Sequence, residues 1–224
     1  MSVVICLLAA VVSGCSTQNA SEPSQTAPQK VAVLLDWFPN TNHTGLYVAQ
    51  DQGYYAAEGL DVTIVQPSGG SNPQLVATDQ ADFAVSYQEE VTTARSQDIP
   101  VVALAAVIQH NTSGFASLAT KNIKSPKDFE GKSYGGWGAP SETAVLKALM
   151  AQYDADFSKI EMVNIGDADF FASMERGIDF SWIFQAWTGI EAQLKNMPLN
   201  YISLRDENQV FDYYTPVLIT SENK

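Results

Sequence analysis

The segment "KVAVLLDWFPNTNHTGLYVAQDQGYYAAEGLDVTIVQP", residues 30–67, contains the pattern that decides the fold. It opens with an apolar run of the kind found in buried strands, and it closes with a second such run. Between the two runs, Leu46, Ala49 and Tyr54 recur at helical spacing, and Gly59 stands where a helix would end. A strand, a helix and a strand in this order predict a parallel βαβ unit.

The same alternation of strands and helices continues along the chain. Further strands are predicted in "ADFAVSY", "IPVVALAAVI", "KIEMVNIG", "IDFSWIFQAW" and "LNYISL", with helical segments between most of them. This alternation predicts an α/β fold in which parallel sheets carry helices on both faces. Ligands of such sheets bind beyond the carboxyl ends of the strands, so the loops at those ends are where we expect a site.

The N-terminal segment has the features of an export signal. Residues 2–15, "SVVICLLAAVVSGC", form an uncharged apolar run that is too short for a permanent membrane span. Its end, Val12 to Cys15, resembles a bacterial lipobox, which predicts a signal peptide over residues 1–15 and lipidation of Cys15. No Lys or Arg precedes the run, and a buried N-terminal strand is the alternative interpretation. The polar residues 16–29 that follow predict a disordered tether.

The composition argues against several classes of function. The chain has 224 residues, 46% of them hydrophobic, which is enough for a sizeable core. A formal net charge of -13 without a basic stripe argues against nucleic-acid binding. Both cysteines, Cys6 and Cys15, lie in the predicted signal, so we expect no disulfide, thiolate metal site or cysteine nucleophile in the folded part. Without HxH, HExxH, Walker or GxGxxG patterns, the sequence predicts no metal, cofactor or catalytic residue.

Aromatic side chains stand at or just past the ends of several predicted strands. Trp37, Tyr87, Trp137 and Trp187 occupy such positions, and glycines on both sides leave Trp137 uncovered. Two rings on opposite walls can hold a flat heterocycle between them, and each contributes about 0.5–1.5 kcal/mol beyond area burial. Packing in the core is the other explanation for each ring, and it is the one we adopt for Trp182, in the middle of a strand.

Acidic side chains open two of the predicted helices. Gln88, Glu89 and Glu90 directly follow a strand, and Glu142 starts a later helix. An acidic side chain stabilises a helix N-terminus by about 0.3–1 kcal/mol, and this effect alone can explain the presence of any one of these acids. A carboxylate can also accept two parallel hydrogen bonds from an aromatic base, one from an exocyclic amine and one from a protonated ring nitrogen. We expect at least one of the three carboxylates to contact a ligand, and the sequence leaves open which one.

The polar loops and the scarcity of arginine narrow the class of ligand. Asn40, Asn42, His43 and "HNTSG" at residues 110–114 offer donors and acceptors, although asparagine also forms turns and His43 can cap a helix. The three arginines of the chain lie outside the strand-end loops, whereas oxyanion binding normally uses a guanidinium group. A neutral or cationic aromatic base is therefore the expected ligand.

Five stretches of the sequence resemble one family. They are "LLDWFPNTNHTGLYVAQDQGYYAAEGLDV", "ADFAVSYQEEVTTAR", "IQHNTSGFASL", "FEGKSYGGWG" and "DFSWIFQAW", in this order along the chain. Over most of residues 30–224 the chain resembles the formylaminopyrimidine-binding lipoproteins, which are solute-binding components of ABC importers that salvage a thiamine-pyrimidine precursor. The wider family includes fungal pyrimidine-precursor synthases and binders of sulfonates.

The resemblance implies an α/β, periplasmic-binding-protein-like fold of type II. Such a fold has two doubly wound lobes that are joined by a two-strand hinge and close around a ligand in the cleft between them. Residues 30–120 and 213–224 are expected to form the first lobe and residues 121–212 the second, with "FASLAT" and "TPVLITS" as paired hinge strands. Because the family has longer chains, we expect the C-terminal part of the first lobe to be missing.

The implied function is the capture of a formylaminopyrimidine-like precursor without catalysis. The resemblance implies a monomer that is lipid-anchored to the bacterial cell membrane, outside the cytoplasm, with the permease subunits of an ABC importer as partners. A synthase-like enzyme is one alternative, but the histidine loop and cysteine-rich segment of the fungal synthases have no counterpart here. A binder of a flavin precursor or a sulfonate is another. The predicted ligand-binding residues are Asp36, Trp37, Asn40, His43, Tyr87, Gln88, Glu89, Glu90, Asn111, Thr112, Trp137, Glu142, Trp187 and Tyr213.

Overall fold

The computed structural model describes residues 27–66 and 71–224. The predictions for the signal peptide, for lipidation of Cys15 and for nearly all of the tether fall on residues outside these ranges. Within the described ranges, no helix is both long enough and apolar enough to cross a membrane. The strands of this part of the chain, numbered in order, are β1 (Gln29–Leu34), β2 (Leu60–Val65), β3 (Phe83–Ser86), β4 (Val101–Ala106), β5 (Ser113–Leu118), β6 (Ser133–Gly136), β7 (Glu161–Asn164), β8 (Phe180–Phe184), β9 (Leu199–Ser203) and β10 (Val217–Ser221).

The first sheet has five strands in the order β2-β1-β3-β10-β4. Strand β1 pairs in parallel with β2 and with β3, so the predicted βαβ unit is confirmed. Strand β10 runs antiparallel between β3 and β4, and its Ile219 is fully buried in the core of this sheet. Asn72 bridges the carboxyl ends of β1 and β3 by hydrogen bonds, since its Nδ2 donates to the carbonyls of Leu35 at 3.0 Å and Val85 at 2.7 Å.

The second sheet has five strands in the order β7-β6-β8-β5-β9. Strand β6 is parallel to β7 and β8, whereas β5 is antiparallel to β8 and β9. An aromatic cluster fills its core, in which Phe115 contacts Phe129, Tyr134 and Phe180 edge-on and Phe129 stacks on Phe180 with ring centroids 4.1 Å apart. Together the two sheets confirm the predicted α/β class.

Helices pack on the sheets through apolar residues that recur at helical spacing. In "PSETAVLKALMA", Pro140 occupies the first turn, and Val145, Leu146, Leu149 and Met150 are buried against the second sheet. The α-helices of the described part are α1 (Thr44–Asp51), α2 (Tyr54–Ala57), α3 (Asn72–Ala77), α4 (Gln88–Ser96), α5 (Pro140–Ala151), α6 (Phe170–Glu175), α7 (Ile190–Leu194) and α8 (Leu204–Glu207).

Two details of the fold differ from the sequence-based expectation. The runs "FASLAT" and "TPVLITS" do not pair with each other, because β5 belongs to the second sheet and β10 to the first. The predicted lobe boundary near residue 120 would therefore separate β5 from the sheet in which it lies. The helix expected up to Gly59 is in two pieces, α1 and α2, because Gly53 between them adopts a left-handed conformation with φ of 71°.

Within the described ranges, the chain passes between the sheets twice. Residues 107–112 lead from β4 to β5, and residues 204–216 lead from β9 back to β10. The two crossing segments are bonded to each other, since the backbone N–H of Asn111 donates to Asp212 Oδ1 at 2.9 Å and Asn111 Nδ2 donates to the carbonyl of Phe211 at 2.8 Å. These bonds join the two crossing segments side by side.

Candidate functional site

A cavity of about 410 Å³ lies between the two sheets, and we call it the cleft. Its walls are formed largely by the loops that follow β1, β3, β6, β7 and β8. These loops leave the carboxyl ends of strands, where ligands of α/β sheets bind. Half of the predicted ligand-binding residues line the cleft: Asp36, Trp37, Asn40, Tyr87, Glu89, Trp137 and Trp187.

Aromatic rings form both walls of the cleft. Trp37 and Tyr87 come from the first sheet, and Trp137, Trp182 and Trp187 come from the second. Trp137 packs edge-on against Trp182, with ring centroids 5.5 Å apart. A flat heterocycle placed between the walls could therefore contact ring faces or edges on both sides.

The loop after β1 is held in shape by a buried histidine. The His43 ring is 1% exposed, and its Nε2 lies 2.6 Å from Asp36 Oδ1. Its Nδ1 accepts from the backbone N–H of Asn40 at 3.2 Å, which assigns the proton of the neutral ring to Nε2. Asn40 Oδ1 in turn accepts from the N–H of Asn42 at 2.9 Å and caps the short helical turn Thr41–His43. His43 therefore positions Asp36 without lining the cleft itself.

Glu142 shapes the loop after β6 from within the protein. Its side chain is buried, and its Oε1 accepts from the Tyr134 hydroxyl at 2.6 Å and from the N–H of Trp137 at 3.1 Å. Its Oε2 accepts from the N–H groups of Gly138 and Ala139, each at 2.7 Å. Four hydrogen bonds occupy this carboxylate, so its role in the structure is to hold the backbone that carries Trp137.

Glu89 and Glu90 are adjacent in sequence but have different surroundings. Glu90 accepts hydrogen bonds from the Ser86 hydroxyl at 2.6 Å and the Ser71 hydroxyl at 3.1 Å, and it does not line the cleft. Glu89 lines the cleft, and its buried Oε2 has no partner among the described residues. The Tyr213 hydroxyl lies close to Glu89 but without hydrogen-bond geometry, and it too has no partner in that part of the chain. Burial raises the pKa of Glu89 to about 7.

Acidic groups dominate the polar part of the cleft. Asp36 and Glu89 contribute from the first sheet, and Asp167, Asp169 and Glu191 contribute from the second. No Lys or Arg of the described residues lines the cleft. Such walls favour a neutral or cationic ligand over an anion.

The other predicted ligand-binding residues lie outside the cleft. Gln88 bonds to the backbone of Tyr214, and the carbonyl of Thr112 accepts from the N–H of Gln185 and the hydroxyl of Tyr201. Their contacts with a ligand stay predictions, because nothing observed tests them. The residues in this group are His43, Gln88, Glu90, Asn111, Thr112, Glu142 and Tyr213.

Several residues of the second wall were not predicted from the sequence. Trp182 is buried in the core as expected, at 7% exposure, yet part of its ring also lines the cleft. Asp167 and Asp169 were not singled out, although they follow the predicted strand "KIEMVNIG". The rule that strand ends face the site, applied to this strand as to the others, would have found both.

The two sheets, the double crossing and the cleft at the strand ends define a class. The fold is that of the periplasmic solute-binding proteins. A protein of Bordetella bronchiseptica matches with a TM-score of 0.69 at 20% identity, covering 89% of this chain and 65% of that chain. The periplasmic aliphatic sulphonate binding protein of Escherichia coli matches with a TM-score of 0.67 at 13% identity, covering 88% and 66%. Identities this low show the shared fold alone.

The chain belongs to the NMT1/THI5 like family, whose model matches residues 40–224. It is 39% identical to a formylaminopyrimidine-binding protein of Halalkalibacterium halodurans, over 73% of this chain and 50% of that protein. It is 26% identical to a 4-amino-5-hydroxymethyl-2-methylpyrimidine phosphate synthase of Legionella pneumophila, over 67% of this chain and 49% of that protein. The chain spans about half the length of these curated relatives.

Proposed function

We propose that the chain belongs to a solute-binding protein that captures a thiamine-pyrimidine precursor of the formylaminopyrimidine type in the cleft. The observation that carries this proposal is a cleft with aromatic rings on both walls and a carboxylate, Glu89, whose Oε2 has no partner among the described residues. The similarity to a formylaminopyrimidine-binding protein supports the choice of ligand.

The dimensions and chemistry of the cleft suit a small heterocycle. Its volume of about 410 Å³ falls in the usual range for small-molecule sites, about 300–1,000 Å³. The rings of Trp37 and Trp137 stand on opposite walls and offer stacking surfaces. An aminopyrimidine would then present its amine and ring nitrogen to the carboxylates of the cleft, a charge-assisted pairing that selects for geometry.

The same chemistry argues against a sulfonate. A sulfonate is an anion at every physiological pH, and proteins usually bind such groups with arginine or with open helix N-termini. Here Glu89 and Glu90 occupy the start of α4, the helix that follows β3. These carboxylates would repel an anion in the cleft.

A pyrimidine-forming enzyme is the second candidate, since some relatives are named as synthases. The two histidines of the chain do not favour it. His43 is buried behind the cleft and His110 is exposed on a crossing segment, so neither lines the cleft. We therefore propose binding without catalysis.

The proposal also includes a cellular location, a lipid anchor and a transport partner. We infer that Cys15 is lipidated, that the protein is a monomer outside the cytoplasm at the bacterial membrane, and that it delivers its ligand to the permease subunits of an ABC importer. We also infer that each sheet is the centre of one lobe, and that residues 107–112 and 204–216 act as the hinge. Mass spectrometry of the membrane-extracted protein would test the lipid, and its absence from Cys15 would contradict that inference.

Isothermal titration calorimetry tests the ligand. The panel is formylaminopyrimidine, hydroxymethylpyrimidine, thiamine, riboflavin and taurine, titrated into the protein and any extended natural form of it. We expect formylaminopyrimidine to bind most tightly, with submicromolar affinity, which is about -8 kcal/mol or better. Preference for taurine, or no pyrimidine binding, would overturn the proposal. Release of a pyrimidine product by protein without added pyrimidine would favour the enzyme instead.

A further inference from the structure

The three candidate carboxylates differ in how far the protein already occupies their oxygens. Glu142 accepts four hydrogen bonds, and Glu90 accepts one from each of two serine hydroxyls. Glu89 alone of the three lines the cleft and has a buried oxygen without a partner in the described part of the chain. The sequence could not choose among these three carboxylates, but these contacts single out Glu89.

We propose that Glu89 and the bound heterocycle share one proton, so that ligand capture is linked to proton uptake through Glu89. This inference rests on the proposed function, because it assumes a ligand with a weakly basic ring nitrogen. It adds a specificity rule: the cleft selects heterocycles that can accept a proton beside an exocyclic amine.

The position of Glu89 makes it the group that such a ligand would meet. It lies in the first turn of α4, two residues after Tyr87, which also lines the cleft. A smaller cavity of about 270 Å³ lies on its other side, between α4 and α5, and Tyr213 lines it as well. Glu89 therefore stands between two spaces, with the Tyr213 hydroxyl beside it.

The charged and titratable groups around Glu89 do not neutralise it. Its neighbours are Glu90 on the same helix, Tyr87 before it and Tyr213 from the crossing segment. Burial raises the pKa of Glu89 to about 7, and the Glu90 charge acts in the same direction, whereas the backbone of Glu89 itself and the nearby Tyr213 hydroxyl act in the opposite direction. Burial also raises the pKa of Tyr87 and of Tyr213, so both phenols keep their protons where Glu89 titrates.

The proton balance follows from these surroundings. When Glu89 carries its proton, a neutral ligand binds and the ring nitrogen takes that proton, with no net exchange with solvent. When Glu89 is ionised, the ring nitrogen must take one proton from solvent to form the same pair. In both cases the product is a ring N–H that donates to one oxygen of Glu89, while the exocyclic amine donates to the other. Above the pKa of Glu89, each unit of pH then weakens binding about tenfold.

Calorimetry with formylaminopyrimidine at several pH values between about 6 and 9, in buffers of different ionisation enthalpy, measures this linkage. For the unsubstituted protein we expect a constant Kd up to pH 7 or so and a rise of about tenfold per unit beyond it. Proton uptake should be about half a proton per ligand at the pKa of Glu89 and approach one above it. Glu89→Gln should bind more weakly, with no pH dependence and no uptake. Glu58→Gln, at an exposed carboxylate after α2, should behave like the unsubstituted protein.

The outcomes separate this inference from the proposed function. Binding that is equally tight across the range, or a pH dependence that survives in Glu89→Gln, would overturn the proton sharing and leave the pyrimidine ligand in place. Absence of binding by the unsubstituted protein at every pH would overturn both. If circular dichroism shows that Glu89→Gln does not fold, the proton uptake of the unsubstituted protein still decides the question.

Discussion

His43 Nε2 and Asp36 Oδ1 lie 2.6 Å apart, and this bond joins a fully buried ring to a carboxylate in the wall of the cleft. Because Nδ1 of the same ring accepts from the backbone of Asn40, both nitrogens are used to fix the loop after β1. The position of Asp36 therefore depends on a residue that does not reach the cleft.

His43→Ala should release this loop. It would remove both hydrogen bonds and leave a small cavity, and we expect a loss of about 1–3 kcal/mol in the free energy of unfolding together with weaker ligand binding. Urea unfolding and calorimetric titration measure the two effects. His110→Ala is the matched control, because the His110–Asp212 pair is largely exposed on the histidine side and such pairs contribute about 0–1 kcal/mol. Equal losses in the two variants would contradict the role given to His43.

Trp137→Ala should weaken binding more than it weakens the fold. The ring is only partly buried and forms part of the cleft wall, so its loss removes a stacking surface worth about 0.5–1.5 kcal/mol beyond burial. We expect Kd to rise about tenfold or more, and Trp137→Phe to recover part of the loss. Tyr54→Ala, at a ring that is 60% exposed on α2, should leave Kd unchanged. An unchanged Kd in Trp137→Ala would contradict the account of this wall.

Gly136→Ala should disrupt the loop that carries Trp137. A Cβ at residue 136 would lie 2.1 Å from Glu142 Oε1, the oxygen that accepts from Tyr134 and from the N–H of Trp137. We expect a loss of more than about 2 kcal/mol in the free energy of unfolding, since a buried carboxylate would lose partners.

The control for this variant is Gly45→Ala. A Cβ at Gly45 meets nothing within 4 Å, and the residue lies in α1. Alanine there should stabilise the protein by about 0.5–1 kcal/mol, because glycine is a poor helix former. Chemical denaturation of both variants gives the comparison, and a neutral Gly136→Ala would show that Glu142 does not hold the loop as described.

Glu89 should make the protein less stable as pH rises. Its pKa is raised from 4.5 to about 7 by burial, so between these values the folded state keeps a proton that the unfolded state has lost. Because the unfolded state then binds fewer protons, the free energy of unfolding falls as pH rises through this window. Relative to the unsubstituted protein, Glu89→Gln should therefore have a free energy of unfolding that is higher by about 1–3 kcal/mol above this pH range and little changed below it.

Thermal melts at pH 4.5 or so and at about pH 8 measure this difference. Glu161→Gln, at an exposed carboxylate in β7, should show no such change with pH. A difference between Glu89→Gln and the unsubstituted protein that is the same at both pH values would mean that Glu89 is not buried as described.

Periodicity predicted much of this architecture because it depends on local sequence. Apolar runs of strand length, such as "KVAVLL", and helical spacing, as in α5, each follow from residues close together in the chain. The placement of Trp37, Tyr87, Trp137 and Trp187 at strand ends then needed only the rule for α/β sheets. The pairing of β5 and β10 was wrong because both are β-rich runs that could pair with several partners.

The contacts of the folded structure show which of the three candidate carboxylates is available to a ligand, a question that the sequence left open. Glu89 and Glu90 are neighbours on one helix, but successive residues project about 100° apart, so one faces the cleft and the other faces two serines. Ser86 lies only four residues before Glu90, but Ser71 comes from a separate loop, and this second contact cannot be read from the local sequence. Glu142 accepts three of its hydrogen bonds from nearby backbone N–H groups, at residues 137–139, and the fourth from Tyr134 in β6.

A crystal structure of the protein with formylaminopyrimidine tests the central claim most directly. We expect the pyrimidine ring in the cleft, between Trp37 or Tyr87 on one wall and Trp137 on the other, with its amine and ring nitrogen within about 3 Å of the Glu89 carboxylate. A pyrimidine bound outside the cleft, or in the cleft with Glu89 turned away from it, would contradict the account.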